Sequence, residues 1–284
     1  MSVLFALLGA VAYGVSDFLA GVAARRVNAV VVTLVGFTTA AAVSWIALPF
    51  TDAAVTQGAL LWGPIAGAGG WLGTVFLYMG LARGQMSVVG PLSAVFTAAG
   101  SAIAGIALGD RPTVLEVVGV VIACAAVGLV SIGVGREAPR AVRAPVGVVY
   151  GALAGAGFTL LFVALNRAGG DSGLWSVALS QSTGLVLAAL FVVLLLVRGV
   201  VRGRLGGSWW QAAALAGLLG GLATFAYFYA THLGLLTIAA VLTSLYPAAT
   251  VVLAVVVLRE RLRRLQVAGL GLAAVSVALL AGRF

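Results

Sequence analysis

The sequence predicts an all-α integral membrane protein with ten transmembrane helices arranged as two inverted five-helix repeats. Three observations predict it: the composition, the spacing of the apolar runs, and an internal duplication. Of 284 residues, 63% are hydrophobic and 8% charged, with a mean hydropathy of +1.20. A soluble domain carries about 25% charged residues. The 16 basic and 7 acidic side chains present cannot cover the surface of a soluble fold of this length. A soluble enzyme and a disordered chain are therefore both excluded.

The apolar runs define ten spans when each is taken to need about 20 residues. The first, at 2–22, lacks a basic leader and is interrupted by Asp17, which sets it apart from a signal peptide. The second covers 29–49. The third, 58–82, carries Gly63, Gly67, Gly70 and Gly73, a spacing that lets helices approach closely. The fourth covers 87–108 and contains Pro91, and the fifth, 113–134, starts after Pro112. The sixth, 146–166, follows Pro145 and repeats small residues at Gly147, Gly151 and Gly155. The seventh (174–197), eighth (209–231), ninth (236–258) and tenth (265–282) complete the set. Pro247 lies inside the ninth, where neighbouring helices can satisfy the carbonyls it frees.

The net charge of +9 would suggest nucleic acid in a soluble chain. Here the basic residues sit in short gaps between spans, so no nucleic-acid partner is expected. All are Arg, and without Lys no Schiff base can form. The odd-numbered loops hold Arg25, Arg26, Arg83, Arg136, Arg140, Arg143, Arg198, Arg202, Arg204, Arg259, Arg261, Arg263 and Arg264. Only Arg111, Arg167 and Arg283 lie elsewhere. Cytoplasmic loops are enriched in Arg. The bias puts the odd loops in the cytoplasm and both termini outside a cell membrane. Cys124 is the single cysteine and His232 the single histidine, too few for a disulfide or a His/Cys metal site. No Walker A motif is present, and neither a cofactor nor an enzymatic activity is expected.

A slide of 150 residues superimposes Gly70 on Gly220, Thr74 on Thr224, Leu92 on Leu242, Ala98-Ala99 on Ala248-Ala249 and Gly119 on Gly269. Asp110-Arg111 and Glu260-Arg261 then both follow the fourth span of a five-span unit. The expected units are 1–135 and 146–284, joined by a cytoplasmic linker at 136–145. Five is odd, so the second unit enters the membrane from the opposite side. Inverted repeats of this kind build many secondary transporters.

The segments Ala226-Tyr-Phe-Tyr-Ala230, Leu242-Thr-Ser-Leu-Tyr-Pro-Ala-Ala-Thr250 and Leu258-Arg-Glu-Arg-Leu262, with Gln266 and Gly269, form a recognisable pattern. Together they resemble the second repeat of EamA-type members of the drug/metabolite transporter superfamily. The run Pro91-Leu-Ser-Ala-Val-Phe96 followed by Gly109-Asp-Arg111 is a weaker copy, and Tyr13-Gly-Val-Ser-Asp-Phe18 resembles the family's first-helix motif with Tyr for Trp. The resemblance spans essentially the whole chain. It implies a central cavity between the repeats and export of small metabolites.

Asp17 is the acidic residue that falls within a span; the other six lie in loops or at helix ends. A carboxylate at mid-membrane costs about 2.5–3.5 kcal/mol on insertion scales, and such groups mark ion or substrate pathways. Tyr13, Ser16 and Asp17 share one face of the first helix. Further polar faces are Ser93, Thr97 and Ser101 in the fourth span; Ser180-Gln181-Ser182-Thr183 in the seventh; Thr224, Tyr227 and Thr231 in the eighth; and Thr243, Tyr246, Pro247 and Thr250 in the ninth. The expected substrate or proton pathway comprises Asp17, Tyr13, Ser16, Thr97, Gln181, Thr224, Tyr227, Tyr246 and Thr250. The expected activity is alternating-access export of a small polar or amphipathic metabolite, amino-acid-like or otherwise, with a proton or cation as coupling ion. Uptake or exchange, and lipid scrambling or flipping, are the rival activities. The expected partners are the solute and membrane lipid, with the chain acting as a monomer or a homodimer.

Overall fold

A computed structural model describes residues 1–24, 26–82, 86–131, 144–199, 208–258 and 264–281. Most of the expected linker, up to residue 143, lies outside the described residues, as do Arg25, Arg83 and most other loop arginines. The helices are α1 (Ser2–Ala24), α2 (Ala29–Ala47), α3 (Gln57–Ala82), α4 (Met86–Ala107), α5 (Val114–Ser131), α6 (Ala144–Arg167), α7 (Leu174–Val197), α8 (Trp209–His232), α9 (Leu236–Thr243), α10 (Tyr246–Leu258) and α11 (Arg264–Ala281). No strand occurs among the described residues. Eight segments are at least 18 residues long and apolar enough to cross a membrane, with α9 and the start of α10 counting as one; α4 and α5 add the shorter apolar stretches Leu92–Ala107 and Val114–Val130. The fold is thus all-helical with ten membrane-crossing segments, as the sequence predicts.

Local chemistry explains several boundaries. Asn28 caps α2, its Oδ1 accepting from Val30 N at 3.0 Å. Thr113 and Glu116 form a reciprocal capping box at the start of α5. Within the helices, Thr33, Ser44, Thr74 and Thr97 donate to the carbonyl four residues back, which satisfies hydroxyls that lipid could not.

The ninth span is not continuous. α9 ends at Thr243, and Ser244 and Leu245 turn before α10 begins at Tyr246. Pro247 has no N–H for the carbonyl of Thr243, and Ala248 donates to Leu245 O three residues back, at 2.8 Å. Thr243 and Ser244 are fully buried, so the irregular backbone is shielded from lipid. Gly14 of α1 lies against the break: a Cβ there would stand 2.6 Å from Ala249 Cβ and 2.7 Å from Tyr246 O.

The two halves pack alike, residue by residue. A Cβ on Gly67 of α3 would meet Ser180 O and Thr183 of α7; one on Gly217 of α8 would meet Gly36 O and Thr39 of α2. Gly119 of α5 faces Leu279 and Leu280 of α11, as Gly269 of α11 faces Leu129 and Val130 of α5. Gly155 of α6 faces Ser93 O, Phe96 Cβ and Thr97 N of α4, as Gly14 faces Tyr246 O, Ala249 Cβ and Thr250 N. Helices α3, α5, α8 and α11 keep the register of the 150-residue slide. The fourth pair keeps it too: Thr159 of α6 meets Phe96 O and Gly100 of α4, and Gly14 of α1 meets Tyr246 O and Thr250 N of α10, 150 residues on in each case.

Along the bundle axis the ends differ. At the arginine-poor end, where α1 starts, a large core packs Phe162, Leu165, Leu174, Val177, Phe228 and Leu236. Trp45 and Trp175 meet edge-to-face at 5.5 Å there, and Arg167 lies 5.5 Å over the Trp62 ring. Trp209 and Trp210 stand at the opposite, arginine-rich end, where α8 begins. Tryptophan at both ends is the pattern of a bilayer-spanning bundle.

Candidate functional site

A cavity of about 160 Å³ lies between the two repeats, from mid-bundle toward the arginine-rich end. That is many times the space one water requires. From α1 it takes Tyr13, Ser16, Asp17 and Ala20, a single face at helical spacing. Helix α2 adds Thr33 and Phe37, α3 adds Thr74, α6 adds Phe158 and Phe162, and α7 adds Ser180 and Gln181. Thr97, Thr224 and Tyr246 complete the polar wall, with Gly67, Gly70, Gly217 and Gly220 leaving room between helices.

Thr224 is the hub of the wall. Its Oγ1 donates to Gly220 O at 2.8 Å and accepts from Gln181 Nε2 at 3.1 Å. With that proton committed, the 2.8 Å contact to Tyr13 Oη has Tyr13 as donor. The three bonds tie α1 of the first repeat to α7 and α8 of the second. Ser16 adds a second link, donating to Ala216 O at 2.8 Å. Asp17 stands on the cavity wall, about 10 Å from the arginine-rich end of α1 at 1.5 Å per residue. No described residue gives it a hydrogen bond or an ion pair.

Of the expected pathway residues, Tyr13, Ser16, Asp17, Thr97, Gln181, Thr224 and Tyr246 meet at this cavity. Tyr227 and Thr250 do not line it. Tyr227 is fully buried, stacked on Phe162 at 3.9 Å and 16°, with its hydroxyl donating to Phe162 O at 3.1 Å. It backs the wall that Phe162 forms. Thr250 points at α1 instead, donating to Gly14 O at 3.1 Å and Tyr246 O at 3.2 Å. Thr243 and Tyr246, expected on one helical face, fall on either side of the break. His232 lies at the arginine-poor end with its ring nitrogens 2.8 Å from Phe228 O and 3.1 Å from Asn166 O. Asp110, expected as a simple helix-end charge, caps α9 by accepting from Thr237 N at 2.7 Å and Thr237 Oγ1 at 2.8 Å.

The aromatic residues Phe37, Phe158 and Phe162 were not among the expected pathway. Glycines leave room for two of the rings: a Cβ on Gly73 would strike the Phe158 ring, and one on Gly184 the Phe37 ring.

Comparison with known proteins matches this arrangement. The model of the EamA-like transporter family matches residues 1–132 and again residues 145–282. No curated protein matches the chain. One solved structure, described as "Crystal structure of protein", aligns over 98% of this chain and 95% of its own, with a TM-score of 0.77 and 17% identity. At that identity the likeness is one of fold.

Proposed function

The chain belongs to the EamA-like transporter family, and from that premise we propose that it exports a small polar or amphipathic metabolite by alternating access, exchanging a proton or cation at Asp17. It is a multi-pass membrane transporter by family. The observation that carries the finer reading is the carboxylate of Asp17, without a partner among the described residues, on the wall of a cavity formed by both repeats. A buried charge without a partner is costly, and a pathway that admits water and a positively charged species offsets that cost. The cavity reaches the arginine-rich end, whereas the arginine-poor end is filled by core. With the arginine-rich loops in the cytoplasm, the arrangement suits a carrier that collects its cargo from inside. On this reading the repeats are 1–135 and 146–284, with 136–145 as the cytoplasmic linker and both termini outside.

A ligand drives such a cycle only by binding its states unequally. Tyr13, Thr224 and Gln181 bridge the repeats at the cavity, so a solute that competes for these groups biases how the repeats sit together. The test is export of a metabolite panel from cells with and without the protein, followed by flux in proteoliposomes under an imposed pH gradient. Solute efflux that follows the gradient is the expected result. Scrambling of fluorescent lipid without solute flux would overturn it. Reporter fusions at Phe284 active only in the cytoplasm would overturn the orientation.

A further inference from the structure

The hydrogen-bond bookkeeping of the cavity restricts what it can hold. Ser16 donates to Ala216 O, Thr33 to Ala29 O, Thr74 to Gly70 O, Thr97 to Ser93 O and Thr224 to Gly220 O. Tyr13 gives its proton to Thr224. Each of these hydroxyls has spent its donor within the protein and keeps only lone pairs for a guest. Gln181 has committed one amide hydrogen to Thr224 and keeps its second amide hydrogen and its carbonyl, and Ser180 and Tyr246 add hydroxyls to the same wall. Asp17, ionised, only accepts. No Arg or His stands on the wall among the described residues, and the chain has no Lys. In a protein of net charge +9, the cavity wall carries one acidic side chain and no basic one among the described residues.

The apolar part of the wall is aromatic. Phe37, Phe158 and Phe162 face the same space as Tyr13 and Tyr246. Aromatic faces attract cations and accommodate flat apolar groups. Asp17 comes from α1 of the first repeat, and Phe158 and Phe162 from α6 of the second. One repeat thus contributes the charge and the other two of the rings.

We infer that the transported solute is a protonated amine with an aromatic-sized apolar body, its ammonium held by Asp17 and neighbouring hydroxyl lone pairs. Zwitterions and anions are disfavoured, because their carboxylate would meet the charge of Asp17 and no basic side chain among the described residues. The inference rests on this cavity being the transport site, and it narrows the proposed cargo from polar metabolites in general to amines.

Three probes with one phenyl body and different charges test it: radiolabelled phenylethylamine, phenylalanine and 3-phenylpropanoate. Equilibrium binding to the purified full-length protein should favour the amine over the other two by about tenfold or more, the scale of one charge-assisted hydrogen bond. Asp17→Asn should remove that preference and Asp17→Glu restore part of it, in variants whose size-exclusion profile matches the parent. Should neither variant fold, the order of the three probes on the parent protein decides alone. Equal or tighter binding of phenylalanine or phenylpropanoate, or no binding of any probe, overturns the amine class. Efflux of other solutes with no amine binding would remove the class and leave the transporter standing. Amine binding with no solute crossing a bilayer would do the reverse.

Discussion

Helices α1 and α6 hold equivalent places in the two repeats, and Gly14 on one and Gly155 on the other each admit a neighbouring helix to backbone contact. The side chains around them are not equivalent. The cavity face of α1 carries Tyr13, Ser16 and Asp17; that of α6 carries Phe158, Leu161 and Phe162. The fourth pair diverges as well: α4 runs unbroken while α9 and α10 are separate. Thr97 occupies the place of Pro247 and keeps its N–H. Duplication has preserved the packing contacts, which need only small residues at fixed spacing, and has let the chemistry of the cavity drift apart. An asymmetric site on a symmetric scaffold can present a charge on one side and rings on the other.

The largest effect should fall on the chemistry. Asp17→Asn keeps size and hydrogen bonding but loses the charge, and pH-gradient-driven accumulation in proteoliposomes should be abolished. Phe158→Leu, on the cavity wall of the other repeat, should weaken solute binding severalfold and leave gradient dependence intact. Uphill transport by purified Asp17→Asn under a proton gradient alone would make Asp17 an anchor for the helix and nothing more.

Next come the two fourth helices. Ala94→Pro would remove a backbone donor at a fully buried position of an unbroken helix, at a cost of about 3 kcal/mol. Pro247→Ala, in the first turn of α10, should change stability by less than about 1 kcal/mol. Thermal unfolding in detergent compares them. Equal losses would mean that the break in the ninth span is no property of the second repeat.

The shared packing predicts equal outcomes. A Val at Gly14 would collide with Ala249 and Tyr246 O, and one at Gly155 with Phe96 and Ser93 O. Each overpacking should destabilise by about 1–3 kcal/mol, read as a matched fall in melting temperature. A loss confined to one of them would show that the two contacts are not equivalent.

How much of this was legible follows from what sequence patterns encode. Ends of apolar runs are sharp, so the ten spans agree closely with the helices, and a lone carboxylate with Tyr13 and Ser16 at helical spacing marked a cavity face. An aromatic in a span apolar on all sides carries no sign of the face it presents, which is why Phe37, Phe158 and Phe162 were missed. For the same reason the hydroxyls of Tyr227 and Thr250 looked available when one reaches Phe162 O and the other Gly14 O. Proline was ambiguous: α3 passes unbroken through Pro64, whereas Pro247 accompanies a break that Gly14 makes room for.

The smallest effect separates packing from pathway between two threonines, one on α4 and one on α10. Thr250 Oγ1 bonds Gly14 O and Tyr246 O away from the cavity, and Thr97 Oγ1 bonds Ser93 O at 2.7 Å while facing it. Thr→Val at either site keeps the shape and deletes the hydroxyl. The carbonyls that lose the bond belong to helices, where backbone N–H groups still serve them, so no acceptor is stranded. Each change should therefore cost only the net worth of a hydrogen bond, about 0.5–1.5 kcal/mol, and the two melting curves should nearly coincide. Transport should not coincide. Thr97→Val replaces an exposed lone pair with a methyl on the cavity wall and should weaken solute binding, whereas Thr250→Val should leave binding unchanged per folded molecule. If Thr250→Val weakens binding as much as Thr97→Val, the site extends through the contact between α1 and α10, and the helix break belongs to the binding surface itself.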